Sequence, residues 1–233
     1  MEYTRPETYQ DGAVLYIDKP LTWTSFDVVN KIRKSLRHYL GIQKIKVGHA
    51  GTLDPLATGL VIICTGKATK QIMQYQDMDK AYTAQVRLGA TTPSFDLETK
   101  IDHTYPWEHI TTDQIEQALL ELSGDQEQMP PLFSAKSVDG KRAYAMARKG
   151  RQVELKLQQI HISRLELLTE KLPELALHVE CSKGTYIRSL ARDLGLKLHS
   201  GAHLSGLRRT RIGPYNIDKA ISLENFIENL KLL

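Results

Sequence analysis

The sequence predicts an α+β fold: a largely antiparallel mixed sheet flanked by helices. Segments with strict apolar–polar alternation stand beside segments with apolar residues at helical spacing. The two kinds do not follow the regular strand–helix–strand alternation of a parallel sheet. No internal repeat, low-complexity tract or linker interrupts the order, so the 233 residues read as a single domain.

The elements follow from local chemistry. Val14-Leu15-Tyr16-Ile17 reads as a buried strand that ends at Asp18-Lys19-Pro20. Thr24 and Asp27 form a capping box, and Phe26, Val29, Ile32, Leu36 and Leu40 recur at helical spacing, predicting an amphipathic helix from about Ser25 to Leu40. Lys31, Arg33, Lys34 and Arg37 occupy its outer face. Leu60-Val61-Ile62-Ile63-Cys64 is a core strand, and Tyr82, Ala84, Val86 and Leu88 mark a half-buried one. Ile115, Ala118, Leu119 and Leu122 predict a second helix stopped by Gly124. Residues 125–151 combine Pro130-Pro131 with Lys136, Lys141, Arg142, Arg148, Lys149 and Arg151 and show little apolar periodicity at first, the signature of a long loop or inserted arm. Ile160, Ile162, Leu165 and Leu167 suggest another strand, and Leu175, Leu177, Val179 and Cys181 alternate cleanly in the next. A third helix opens near Thr185 and buries Ile187, Leu190, Ala191, Leu194 and Leu198.

Composition sets bounds on function. Lys+Arg 31 against Asp+Glu 27 gives a net charge of +4, so any anionic partner must be read from clustering and not from the total. Cys64 and Cys181 cannot form a disulfide scaffold or a four-ligand metal site, and their apolar neighbours make them buried free thiols. Neither a signal peptide nor a bilayer-length apolar run is present, and the chain is expected to be soluble and cytoplasmic.

Several motifs are excluded. Gly66-Lys67 hints at a phosphate loop, but Val61 and Ala68 stand where that motif needs Gly and Ser/Thr. The eight histidines lack zinc spacing and read as scattered surface residues. There is no Gly-x-Ser-x-Gly elbow. What remains is Gly48-His49-Ala50-Gly51-Thr52-Leu53-Asp54-Pro55-Leu56-Ala57-Thr58-Gly59, a single carboxylate in a glycine-rich loop stiffened by proline. By itself Asp54 is either a turn former or a nucleophile. Arg188 sits on a first helical turn, where the macrodipole disfavours a cation, so a carboxylate or phosphate partner would explain it and a solvated arginine is the alternative.

The Asp54 dodecamer closely resembles the nucleophile loop of the TruB family of tRNA pseudouridine synthases. Asp18-Lys19-Pro20, Lys80-Ala81-Tyr82, Pro130-Pro131-Leu132-Phe133-Ser134-Ala135, Cys181-Ser182-Lys183-Gly184-Thr185-Tyr186-Ile187-Arg188 and Leu207-Arg208-Arg209-Thr210 continue the resemblance in family order. The resemblance implies a pseudouridine synthase fold and a cofactor-free isomerase that converts uridine 55 in the tRNA T-loop to pseudouridine after flipping the base out. It assigns Asp54 as the catalytic carboxylate, Arg188 as its partner and Tyr82 as the residue stacking on the flipped base. It places His49 near the displaced base. Lys19, Lys183, Tyr186, Arg208 and Arg209 become the RNA-binding set, and 125–151 an RNA-gripping insertion. tRNA is the implied partner, no metal is implied, and a monomer is expected. An RNA-folding protein without catalysis, or a synthase acting on another RNA, is the alternative. The chain departs from the family at Thr22, where many members have Gly, and at 89–96, which keep Asp96 but lack the usual Thr-Asp-Thr. It ends at Leu233, where many members continue into a PUA-type RNA-binding domain, and such a domain is expected to be absent.

Overall fold

In a computed structural model, residues 6–131, 137–138, 141–142 and 156–232 are described. The first part of the chain runs α1 (Pro6–Gly12), β1 (Val14–Lys19), α2 (Ser25–Tyr39), β2 (Val47–Ala50), β3 (Ala57–Thr65) and α3 (Ile72–Asp77). Next come β4 (Lys80–Leu88), β5 (Ala90–Thr91), β6 (His103–Thr104), α4 (Thr112–Glu121) and β7 (Gly124–Gln128). A hairpin of β8 (Ser137–Val138) and β9 (Lys141–Arg142) precedes β10 (Gln158–Lys171), β11 (Glu174–Cys181) and α5 (Ile187–Lys197). The chain closes with β12 (Ala202–Ile212), β13 (Tyr215–Asn216), β14 (Ile221–Ser222) and α6 (Leu223–Lys231). Ten of the strands join a mixed, largely antiparallel sheet, as the sequence predicts.

The chain packs as two compact units, one of residues 1–81 and 208–233, the other of 82–207. In the first, β3 is nearly continuous apolar sequence and is buried on both faces. It pairs antiparallel with β1, Ile17 opposite Val61, and with β2, His49 opposite Ile63. One face holds Leu60, Ile62 and Cys64 with Tyr75 and Ile212, while Tyr16 and Tyr215 pack on this cluster with ring centroids 5.1 Å apart. The predicted capping box at Thr24 and Asp27 forms, and α2 buries Val28, Val29, Ile32 and Leu36. Each fully buried aliphatic side chain contributes about 1.5–3 kcal/mol relative to exposure.

In the second unit β4, β11, β10 and β7 lie in that order. The clean alternation of β11 puts Leu175, Leu177, Val179 and Cys181 inside. Residues 125–128, expected to open the inserted arm, are instead an edge strand paired with β10, Gln128 opposite Gln158. Asp125, Gln126 and Glu127 offer no apolar alternation because only one end of this strand is buried. Residues 132–136, 139–140 and 143–155, with the Leu132-Phe133-Ser134-Ala135 block and most of the basic insertion, lie outside the described residues.

The thiols are buried as expected, and burial pushes Cys64 up to about 11. The histidines are a correction: His203 is fully buried and its Nδ1 lies 3.0 Å from the Ala90 carbonyl, because β12 carries it inward.

Candidate active site

Asp54 lies in the link between β2 and β3, and what surrounds it is a set of main-chain anchors. The Ser25 hydroxyl, at the first residue of α2, accepts a hydrogen bond from the Leu53 N–H at 2.8 Å. On the other side of the carboxylate, the Thr22 N–H donates to the Pro55 carbonyl at 2.8 Å. The Ala57 N–H closes the turn onto the Asp54 carbonyl at 3.1 Å.

Two buried cations complete this frame. Lys19 has no exposed surface, and its ammonium donates to the carbonyls of Trp23 at 2.6 Å, Pro20 at 3.0 Å and Pro55 at 3.4 Å. All three ammonium protons therefore have acceptors. Burial pushes this lysine down to about 8, and the Asp54 carboxylate pulls the other way. Arg209 is equally enclosed, with its Nε donating to the Leu60 carbonyl at 2.8 Å and its Nη2 to the Gly51 carbonyl at 3.1 Å. Its Nη1 lies 3.5 Å from the Thr52 carbonyl. One guanidinium thus ties the entry of the loop to its exit. Gly59, at φ 106, makes this possible: a Cβ there would stand 2.3 Å from the Arg209 carbonyl oxygen.

These contacts revise the sequence reading. Lys19 and Arg209, expected on RNA phosphates, spend their donors on the protein's own carbonyls. The residue types gave no warning, since their burial comes from distant strands closing over them. Arg208 is half-buried and forks onto Asp18, with nitrogens 2.7 and 3.1 Å from the two carboxylate oxygens. His49 sits half-buried at the edge of the same frame, and its Nδ1 has no hydrogen-bond partner among the described residues. Burial first, then the Arg209 charge, holds it below the usual histidine range, while the Gly51 backbone pulls upward.

Thr22 adopts φ 70, a conformation rare and strained for a β-branched residue. Glycine takes it freely, which is why Gly suits this position. Ser25 and Thr22 are the members of the frame that sequence reasoning missed as anchors. A helix-start serine and a positive-φ threonine carry no signal of their contact with a loop some thirty residues away.

The second unit holds the other candidates. Tyr82 is buried on β4 on the same side as Ala84 and Val86, as its register predicts. Arg188, one residue into α5, is 3% exposed. Its Nε lies 3.6 Å from an Asp96 carboxylate oxygen, and its Nη1 donates to the Ser94 carbonyl at 3.3 Å. The unfavourable first-turn cation thus has a buried carboxylate within its own unit. Asp96 is fixed in turn: its Oδ1 accepts the Glu98 N–H at 2.9 Å, and its carbonyl accepts the Thr92 hydroxyl at 2.6 Å. Tyr186 stands at the N-cap position of α5, where its backbone N–H donates to the Gln128 side-chain oxygen at 2.8 Å and its carbonyl accepts from the Gln128 amide at 3.1 Å. Lys183 is exposed in the turn before it, where Gly184 takes φ 84. Among the described residues no cluster of three His, Cys, Asp or Glu side chains offers a metal site, and no helix is long and apolar enough to cross a membrane.

Known proteins share this arrangement of sequence. The TruB family pseudouridylate synthase N-terminal domain matches residues 37–187, and the tRNA pseudouridylate synthase B C-terminal domain matches 188–232. A tRNA pseudouridine synthase B from Phocaeicola vulgatus is 60% identical over 220 residues, covering 94% of each chain. Another from Flavobacterium johnsoniae is 50% identical over 227 residues, 97% of this chain and 99% of that one. Among solved structures, a chain of a Cbf5–Nop10–Gar1 complex matches 97% of this chain with a TM-score of 0.73 and 31% identity, and the match spans 57% of that longer chain. The matched domains take in the Asp54 loop, Tyr82, Arg188 and the Arg208–Arg209 strand together, and on that ground the chain belongs to the TruB family of pseudouridylate synthases.

Proposed function

We propose that this protein is a tRNA pseudouridine synthase that isomerises uridine 55 of the T-loop, with Asp54 as the catalytic carboxylate. It acts as a monomer in the cytoplasm. The observation that supports the reading most is the frame around Asp54: one carboxylate in a loop gripped before it by Ser25, after it by Lys19, and at both ends by Arg209. Holding a reacting group within a fraction of an ångström lets binding energy lower the barrier.

In the reaction the C1′–N1 glycosidic bond breaks, the uracil rotates, and a C1′–C5 bond forms. The hydrogen on C5 leaves as a proton and N1 gains one, so no redox partner is needed. The target base must first leave its stack, at a cost of a few kcal/mol. By the family resemblance Tyr82 stacks on the extruded base, Arg188 holds the catalytic carboxylate, and His49 stands near the displaced uracil. The low basicity of His49 keeps it neutral near pH 7, able to donate one hydrogen bond and accept another. Lys183 and Tyr186 are assigned to the RNA strand, and the 125–151 insertion to gripping the T-arm.

The test is tritium release from T-loop RNA labelled at uridine C5. Wild-type protein should release the label, and Asp54→Asn should release none while still binding tRNA. Absence of release by the wild type would overturn the assignment.

A further inference from the structure

Residues 28–53 contain six cations, Lys31, Arg33, Lys34, Arg37, Lys44 and Lys46, and no Asp or Glu. A segment of charge +6 in a chain of net +4 leaves the remainder net negative. Elsewhere in the described residues, cations are commonly paired: Lys67 with Asp11, Arg87 with Glu174, Lys197 with Glu121, Arg208 with Asp18 and Lys231 with Glu228. On α2, Arg33 is spent on the Asn30 side chain and the Val47 carbonyl. Lys31, Lys34 and Arg37 are exposed, and among the described residues none of their side chains has a hydrogen-bond or ion-pair partner. Such a concentration costs self-repulsion that an anionic partner would relieve.

Its location links it to Asp54. Thr22, Trp23, Asp27, Asn30, Lys31 and Lys34 line an open groove of about 390 Å³. Thr22 at its end is the residue bonded to Pro55, and Ser25 at the start of α2 is bonded to Leu53, so the groove begins at the shoulders of the catalytic loop. The one acid in it, Asp27, is occupied by the Thr24 hydroxyl and N–H, which hold its carboxyl below the usual range. At 1.5 Å rise per residue, Lys31, Lys34 and Arg37 lie roughly 9, 14 and 18 Å along the helix from Ser25. That spread of about 9 Å, widened by the reach of three long side chains, lets the row follow a short run of backbone phosphates. Trp23, which lines the groove with Lys31 and Lys34, supplies aromatic surface there, as single-strand binding grooves do.

We propose that the outer face of α2 is a tRNA-binding surface in which Lys31, Lys34 and Arg37 hold consecutive phosphates of the strand leading away from the target uridine. The inference rests on the tRNA reading above and adds to it a surface that extends outward from the Asp54 loop along α2.

The experiment compares wild type with Lys31→Ala/Lys34→Ala/Arg37→Ala and with a control of equal charge loss, Lys100→Ala/Lys156→Ala/Lys171→Ala. tRNA affinity is measured by fluorescence anisotropy across a salt series, alongside tritium release. The α2 variant should show a salt slope shallower by about two, from ~0.7 per lost contact. Its KM should rise about tenfold or more at fixed salt, with kcat unchanged, and the control should stay near wild type. An unchanged slope and KM, or an equal change in the control, would overturn the proposal. A wild type that binds tRNA with a steep slope yet releases no tritium sinks the assigned activity instead, and the slope comparison still decides the surface.

Discussion

Replacing Arg209 by Met removes the strut that joins the two ends of the Asp54 loop while filling much of its volume. Two well-formed bonds disappear, to Leu60 and Gly51, together with a marginal one to Thr52. Hydrogen bonds to a charged group contribute about 1.5–3 kcal/mol each, so the loss is roughly 3–6 kcal/mol. Removing a buried charge also removes its desolvation penalty, which offsets part of that. A net destabilisation of about 2–4 kcal/mol remains, worth a fall in Tm of about 5–15 °C for a chain of this size. Urea and thermal unfolding measure it. A second readout separates the charge from the packing. Because the Arg209 cation holds His49 down, its removal should move the His49 titration upward in NMR spectra. Arg209→Lys should keep His49 low yet still lose stability, since an ammonium cannot span Gly51 and Leu60 as a planar fork does. Wild-type stability in the Met variant, or a His49 titration that stays put, would refute the strut.

Lys19 gives a pH dependence of stability. Its folded-state value of about 8 lies below the ordinary 10.5, so between those pH values the unfolded chain holds the extra proton and stability rises with pH. The penalty is present in full below about pH 8, and the unfolding free energy of wild type should rise relative to that of Lys19→Met as pH climbs from about 8 toward 10.5. Asp54→Asn should push Lys19 lower still, because the carboxylate pulls it up; a pH titration of the lysine by NMR checks this. Thr22→Gly should stabilise the protein by about 1 kcal/mol through release of the φ 70 strain, read as a higher urea midpoint. Gly59→Ala should cost about 2–5 kcal/mol, from φ 106 and the 2.3 Å approach to the Arg209 backbone, with a correspondingly lower midpoint.

What the sequence made legible is what local chemistry controls. α2 could be read because its capping box and apolar spacing lie within sixteen residues, and β3 because its apolar run is continuous. β12 was opaque: Arg208 and Arg209 read as basic residues for an RNA strand, and only pairing across the chain shows Arg209 buried and Arg208 on Asp18. β7 was opaque for the opposite reason, an edge strand with too little burial to imprint a pattern. At the site, Asp54 stood out because Gly and Pro constrain its backbone directly. The roles of Lys19 and Ser25 did not, since each depends on a carbonyl or N–H contributed by a loop distant in sequence. Arg188 fell between: its awkward place at a helix start signalled a partner, and Asp96 became identifiable as one only in the folded chain.

The contacts holding the Asp54 loop grip Leu53, Pro55, Gly51 and Leu60 through main-chain groups that every residue type carries. The shape of the loop is therefore indifferent to many of its own side chains. The exposed Thr52 side chain takes no part in these contacts, while Lys19, Ser25 and Arg209, none of them in the loop, hold it in place. Much of the geometry around the carboxylate is thus set from outside the loop that carries it.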